Sequence, residues 1–155
     1  MKIEGNKKEN KISDYIFSVG RRKEAVARVR LYNPVSGKSQ ISGAEYKKGD
    51  FIVNNKPIQE YFKFYAYAPK YNKLFRYLEI DGKYIFSAKV RSGGLAGQLD
   101  ALILGVARSL DKLDKESYRG KLKEKGYLTR DARERERRKV GTGGKARRKK
   151  QSPKR

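Results

Sequence analysis

The chemistry legible in this chain is that of cations meeting phosphate. Gly20-Arg21-Arg22-Lys23 sets three positive side chains in succession, and Arg28 and Arg30 follow at the alternate spacing of one strand face, with Glu24 the single acid among them. Five such cations repel one another along a regular strand, and contacts to a polyanionic backbone offset that repulsion. The competing reading is a solvated outer face. Lys89 and Arg91 repeat the spacing on a later strand and join the same candidate set. A second group closes the sequence: Lys145, Arg147, Arg148, Lys149, Lys150, then Ser152-Pro153-Lys154-Arg155. It has no apolar side chain large enough to build a core. Twelve extended residues reach roughly 40 Å, far enough to leave a domain surface and thread into a folded polyanion. Pro153 holds Ser152 extended and removes one backbone donor, which stiffens the tip.

Other chemistries are closed off by what is missing. The chain has neither Cys nor His, so disulfides, thiolate nucleophiles, Cys/His zinc sites and imidazole bases are excluded together. Carboxylates or lysines remain as acid–base groups in principle, but no pair has a spacing that singles it out. We therefore expect no catalytic residues, no metal and no cofactor. Ser92-Gly93-Gly94-Leu95-Ala96-Gly97 follows a strand and opens a helix, where exposed N–H groups can hold an anion. It lacks dinucleotide spacing and a Walker lysine, so a tight packing turn is the first reading and polynucleotide phosphate the second. Gly141-Thr142-Gly143-Gly144-Lys145 looks like half a phosphate loop, but Ala146 stands where Ser or Thr is required.

The composition fits a partner that is nucleic acid. Of 155 residues, 40 are Lys or Arg against 17 Asp or Glu, a net charge of +23, and the sequence pI is about 10.2. An anionic membrane surface is the second candidate, but no apolar run approaches the ~20 residues of a span. Residues 1–14 carry Glu4, Glu9 and Asp14 and no hydrophobic run, unlike a secretory or organellar targeting segment; we expect a cytoplasmic protein. Net charge is +1 over residues 1–14, +12 over 15–128 and +10 over 129–155, and the last acid is Glu136. The sequence divides into a polar leader (1–14), a globular body (15–128) and a basic tail (129–155), since a like-charge block cannot bury itself.

The body mixes strand and helix periods. Tyr15–Val19 and Ala25–Tyr32 read as strands; in the second, Ala25, Ala27, Val29 and Leu31 share one face. Asn33–Gly37 is a turn, Ser39–Ile41 and Phe51–Val53 are short strands, and Pro57 opens a helix to about Phe62. Lys83–Arg91 is a strand with Tyr84, Phe86, Ala88 and Val90 inward and Lys89 and Arg91 outward. Leu95–Leu113 is apolar around most of its surface and should be the buried central helix, with Ser92 as N-cap. Glu116–Lys125 is a polar helix ended by Gly126. Asp131–Glu134 has capping-box spacing, although residues 132–139 offer no apolar face. The aromatics of 61–78 could form a base-stacking platform; packing is the favoured reading.

Four motifs in order carry a resemblance: Phe17–Arg30, Gly93–Gln98 with Gly105–Arg108, Gly126–Arg133, and Glu136–Lys139. From about Tyr15 to Arg155 the chain resembles the bacterial-type ninth small-subunit ribosomal protein family. The resemblance implies an α/β (α+β) two-layer domain with a split βαβ arrangement and a long basic extended tail. It implies a place in the small-subunit head, with no enzyme activity and no homo-oligomer. By position, Arg130, Arg133, Arg137, Arg138 and Lys139 would line small-subunit rRNA. Ser152, Lys154 and Arg155 would meet peptidyl-site tRNA, with the seventh, tenth and fourteenth head proteins as neighbours. The family's tip has an aromatic before Ser-Lys-Arg; here Gln151 precedes Ser152-Pro153-Lys154-Arg155, so the aromatic's stacking role is absent. A free-standing RNA-annealing protein and a basic enzyme acting on RNA are the rival functions.

Overall fold

The computed structural model describes residues 15–33, 38–41 and 43–140. A five-stranded sheet forms one layer. Strands β1 (Tyr15–Arg22) and β2 (Ala25–Tyr32) make an antiparallel hairpin, and β2 pairs on its other side with β7 (Ile85–Arg91). The order is completed by β5 (Phe51–Val53) and β6 (Lys56–Pro57), giving β1-β2-β7-β5-β6. A separate hairpin, β3 (Lys38–Ile41) with β4 (Ala44–Lys47), lies outside that sheet. The helices are α1 (Ile58–Tyr61), α2 (Ala68–Leu78), α3 (Leu95–Leu113) and α4 (Lys115–Glu124).

Alternation along β2 decides which face is inside. Ala25, Ala27, Val29 and Leu31 are buried, as are Phe86, Ala88 and Val90 of β7 and Phe51 and Val53 of β5. They pack against Leu99, Leu102, Val106 and Leu110 of α3 and Tyr71, Leu74 and Leu78 of α2 in one core. The strand Phe51–Val53 and the helix at Leu95 fall where the sequence puts them. Three readings need correction. Pro57 closes β6, and the helical turn starts one residue later. Ser92 does not cap α3: Gly94 occupies that position without a side-chain cap, and Ser92 turns at φ +61°. Asp114, instead, caps α4, accepting from the Glu116 and Ser117 N–H groups at 3.0 and 3.2 Å. The parallel crossover is not split, because β5 and β7 are direct hydrogen-bonded neighbours with Ile52 opposite Ser87. Asn54 extends this pairing: its side chain accepts from Val90 N–H at 2.9 Å and donates to Val90 C=O at 3.0 Å.

The aromatic run divides in two. Tyr71 is buried, and Phe75 stacks on Phe86 with ring centroids 5.8 Å apart. Phe64 and Tyr65, on the loop before α2, are 53% and 81% exposed. Packing is thus the role of the inner half.

β1 and α3 approach each other closely at two glycines. A Cβ on Gly20 would stand 1.9 Å from the Ala101 carbonyl oxygen and 2.5 Å from Gly105 N, and one on Gly105 would stand 2.7 Å from Val29. Only hydrogen fits at either site. Ser18 Oγ donates to Gly105 C=O at 2.7 Å, Arg108 donates to Val19 C=O at 2.9 Å, and Lys112 donates to Phe17 C=O at 2.8 Å. Gly20→Ala should cost about 1–3 kcal/mol through overpacking, seen as a Tm loss of several degrees. Gly120→Ala, where an added Cβ meets nothing within 4 Å, should stabilise by roughly 0.5–1 kcal/mol. Thermal unfolding followed by circular dichroism checks both signs.

Candidate nucleic-acid interface

The strand alternation that buries Ala25–Leu31 turns the remaining side chains outward. Arg28 lies directly opposite Lys89 in the β2–β7 register, Arg91 opposite Val26, Arg30 opposite Ser87, and Phe17 of β1 opposite Arg30. Arg21 shares this face through its pairing with Val26. Like charges directly opposite each other on a sheet are destabilising, and here the pair stands in solvent. Arg21, Arg28, Lys89 and Arg91 have no side-chain hydrogen bond or ion pair among the described residues. Arg30 lies over the Tyr15 ring, 4.9 Å from its centroid, a cation–π contact that fixes its direction.

The face is only partly open. Ile41 and Tyr46 of the β3–β4 hairpin pack with Tyr32, Ile52 and Ile85, covering its apolar end. The cationic end stays uncovered. Between them lies a cleft of about 220 Å³ whose lining includes Phe17, Tyr46, Ile52, Arg28, Arg30, Lys89 and Arg91 and, among the described residues, no carboxylate.

Arg22 and Lys23, grouped with these cations by sequence, are placed elsewhere. The chain from Arg22 to Ala25 is a tight reversal with Lys23 at φ +50°. Arg22 projects to the helix side. Its side chain is 13% exposed and pairs with Asp131 at 3.0 Å and, more loosely, with Asp100 at 3.8 Å. It also donates to the Arg133 carbonyl at 2.6 Å and reaches the Asp131 carbonyl at 3.4 Å. Arg22 therefore ties the root of the tail to the body. No cap box forms at Asp131. Residues 131–139 hold neither helix nor strand, and the Asp131 carboxylate accepts from the Arg133 N–H at 2.9 Å and from its guanidinium at 2.7 Å. Those hydrogen bonds, with the nearby charges of Arg133 and Arg22, hold the Asp131 carboxyl well below the usual carboxylate range.

Arg130 pairs with Glu134 at 3.3 Å, an exposed contact of small energetic value. Arg137, Arg138 and Lys139 are exposed. Lys145, Arg147, Arg148, Lys149, Lys150, Ser152, Lys154 and Arg155 lie outside the described residues, as does the leader. Sequence reasoning missed the latch and the cleft. Arg22 and Asp131 are 109 residues apart, and the cleft depends on hairpin β3–β4, whose second strand carries no periodic signal. Among the described residues no group of acids could hold a metal, and no helix is long and apolar enough to cross a membrane.

A family model described as "Ribosomal protein S9/S16" matches residues 20–155, which includes the cationic strands, α3, the latch and the tail. The chain belongs to that family. It is similar to small ribosomal subunit protein uS9 of Renibacterium salmoninarum, 44% identical over 124 residues. It is likewise 45% identical to uS9 of an Arthrobacter species and 43% identical to uS9 of Pseudarthrobacter chlorophenolicus. Each alignment covers 80% of this chain but 66% of the relative's length, just under two thirds.

The latch gives a prediction in two parts. Arg22→Ala should raise tryptic cleavage at Arg133 and Arg135 severalfold while leaving thermal unfolding of the core nearly unchanged. Because the folded pKa of Asp131 is depressed, its contribution is present at neutral pH. It is lost only as pH falls below the ordinary carboxylate value of about 3.9. An NMR titration of the Asp131 carboxyl should find a midpoint below that value, moved up by Arg133→Ala.

Proposed function

We propose that this protein is a structural, non-enzymatic constituent of the small ribosomal subunit in the cytoplasm, holding small-subunit rRNA. The observation that carries the reading is the family match over residues 20–155 coinciding with a sheet face whose cations the fold leaves unneutralised. Arg21, Arg28, Arg30, Lys89 and Arg91 supply phosphate contacts from that face, and Lys23 adds another from its edge. Such contacts position RNA without reading its sequence. Arg130, Arg133, Arg137, Arg138 and Lys139 continue the path from the latch. Arg22 serves it indirectly, by fixing where the tail departs.

The finer assignments follow from the family resemblance. The body sits in the subunit head beside the seventh, tenth and fourteenth proteins. The tail (129–155) contributes Lys145, Arg147, Arg148, Lys149 and Lys150 to rRNA and Ser152, Lys154 and Arg155 to peptidyl-site tRNA. About eight phosphate contacts would give a log–log salt slope near −6 on single strands. Removing Lys154 and Arg155 should leave subunit assembly intact and weaken peptidyl-site tRNA retention or start fidelity. Subunits carrying the truncated chain, assayed for filter-bound tRNA and start-codon selection, test this. Unchanged retention and fidelity would refute the tail assignment.

A further inference from the structure

We propose that the cleft between the open sheet face and the β3–β4 hairpin seats one unpaired RNA base. The proposal rests on the reading of this face as an RNA contact and names the ligand it takes. A surface that meets only duplex backbone needs cations and nothing else. This one brings Phe17, Tyr46 and Ile52 to a cavity of about 220 Å³, beside Arg28, Lys89 and Arg91. Phe17 is 43% exposed although it stands on a regular strand. Its ring is a flat apolar surface beside unneutralised guanidinium groups, which suits stacking of a base whose flanking phosphates lie on cations. Among the described residues, no carboxylate lines the cleft to repel those phosphates. Ser87 stands at its floor on β7, opposite both Arg30 and Ile52.

The hairpin gives the cleft its selectivity. Its Ile41 and Tyr46 close the apolar end against Tyr32, Ile52 and Ile85, so a helix lying flat on the sheet is kept from that end while an extruded base can enter. Among the described residues, every lining residue belongs to the sheet, the hairpin or the loop after β5.

The test is a binding titration of the full chain with three probes: hexauridylate, a sugar–phosphate hexamer of the same length and charge that is abasic at every position, and a short RNA duplex. The tail contributes equally to the first two, so their affinity ratio isolates the base. The wild-type chain should prefer the intact strand roughly tenfold, the scale of one base stacked on an aromatic ring. Ser87→Phe, which fills the cleft and keeps every cation, should bring the ratio near one. Phe17→Ala, at an exposed side chain that the fold does not need, should do the same. In both variants duplex affinity should change by less than about twofold, as expected of backbone contacts. A wild-type ratio of one, or a ratio that neither variant moves, overturns the cleft proposal and leaves the charge reading standing. If Arg28→Ala with Lys89→Ala alters no affinity for any probe, the RNA reading of the face falls, and the cleft proposal with it.

Discussion

The structure depends on β1 lying against α3 with almost no space between them. Gly20 and Gly105 meet backbone to backbone, so the strand settles deeper on the helix than any side chain would allow. Ser18, Arg108 and Lys112 then tie polar groups of the two elements together. Because β1 is seated by its helix-side residues, the opposite side of β1, β2 and β7 has core duties only at one end, where Tyr32 and Ile85 pack beneath the β3–β4 hairpin, and its other end is left to the cations. The same seating sends Arg22 toward Asp100 and Asp131, which fixes where the tail leaves the body. Packing on one face therefore determines the electrostatics of the other and the departure of the tail.

Charge is left unresolved by folding in a patterned way. Several acids of the body are engaged locally: Asp111 with Arg119, Asp114 in a helix cap, Glu124 with Lys125 and Tyr77. Among the described residues the cations of the open face meet no such partners, and Arg28 is held directly opposite Lys89. A sheet can tolerate that arrangement in water, where high dielectric and salt screen the pair. A polyanion would turn the same arrangement from a cost into a source of binding free energy, which is why the face reads as an interface.

Much of this was legible because period and polarity agreed. Ala25–Leu31 alternate cleanly, so the strand, its buried face and the outward Arg28 and Arg30 could be read from spacing alone. Leu95–Leu113 declared itself by an apolar surface too wide for anything but a central helix. What escaped was set by tertiary contact. Helix α2 has Pro69 near its start and Tyr71, Leu74 and Leu78 buried at helical spacing, but a run of aromatics that suit strands equally well hid the period. Strands β4 and β6 are short and carry no alternation, and they form by pairing with partners the sequence does not announce. Arg22 looked like one more surface cation because adjacent strand residues face opposite sides only once the register is known. The split crossover was implied by the family resemblance and not by any residue pattern, and the direct pairing of Phe51–Val53 with β7 replaces it.

The proposed role requires a fixed place on the small ribosomal subunit, as opposed to general affinity for RNA. Sedimentation of a tagged copy through a sucrose gradient after a high-salt wash tests it most directly. The chain should run with the small subunit at one copy each. A chain that washes off, or that spreads over free RNA without saturating, would contradict it and make a free-standing RNA-annealing protein the better description.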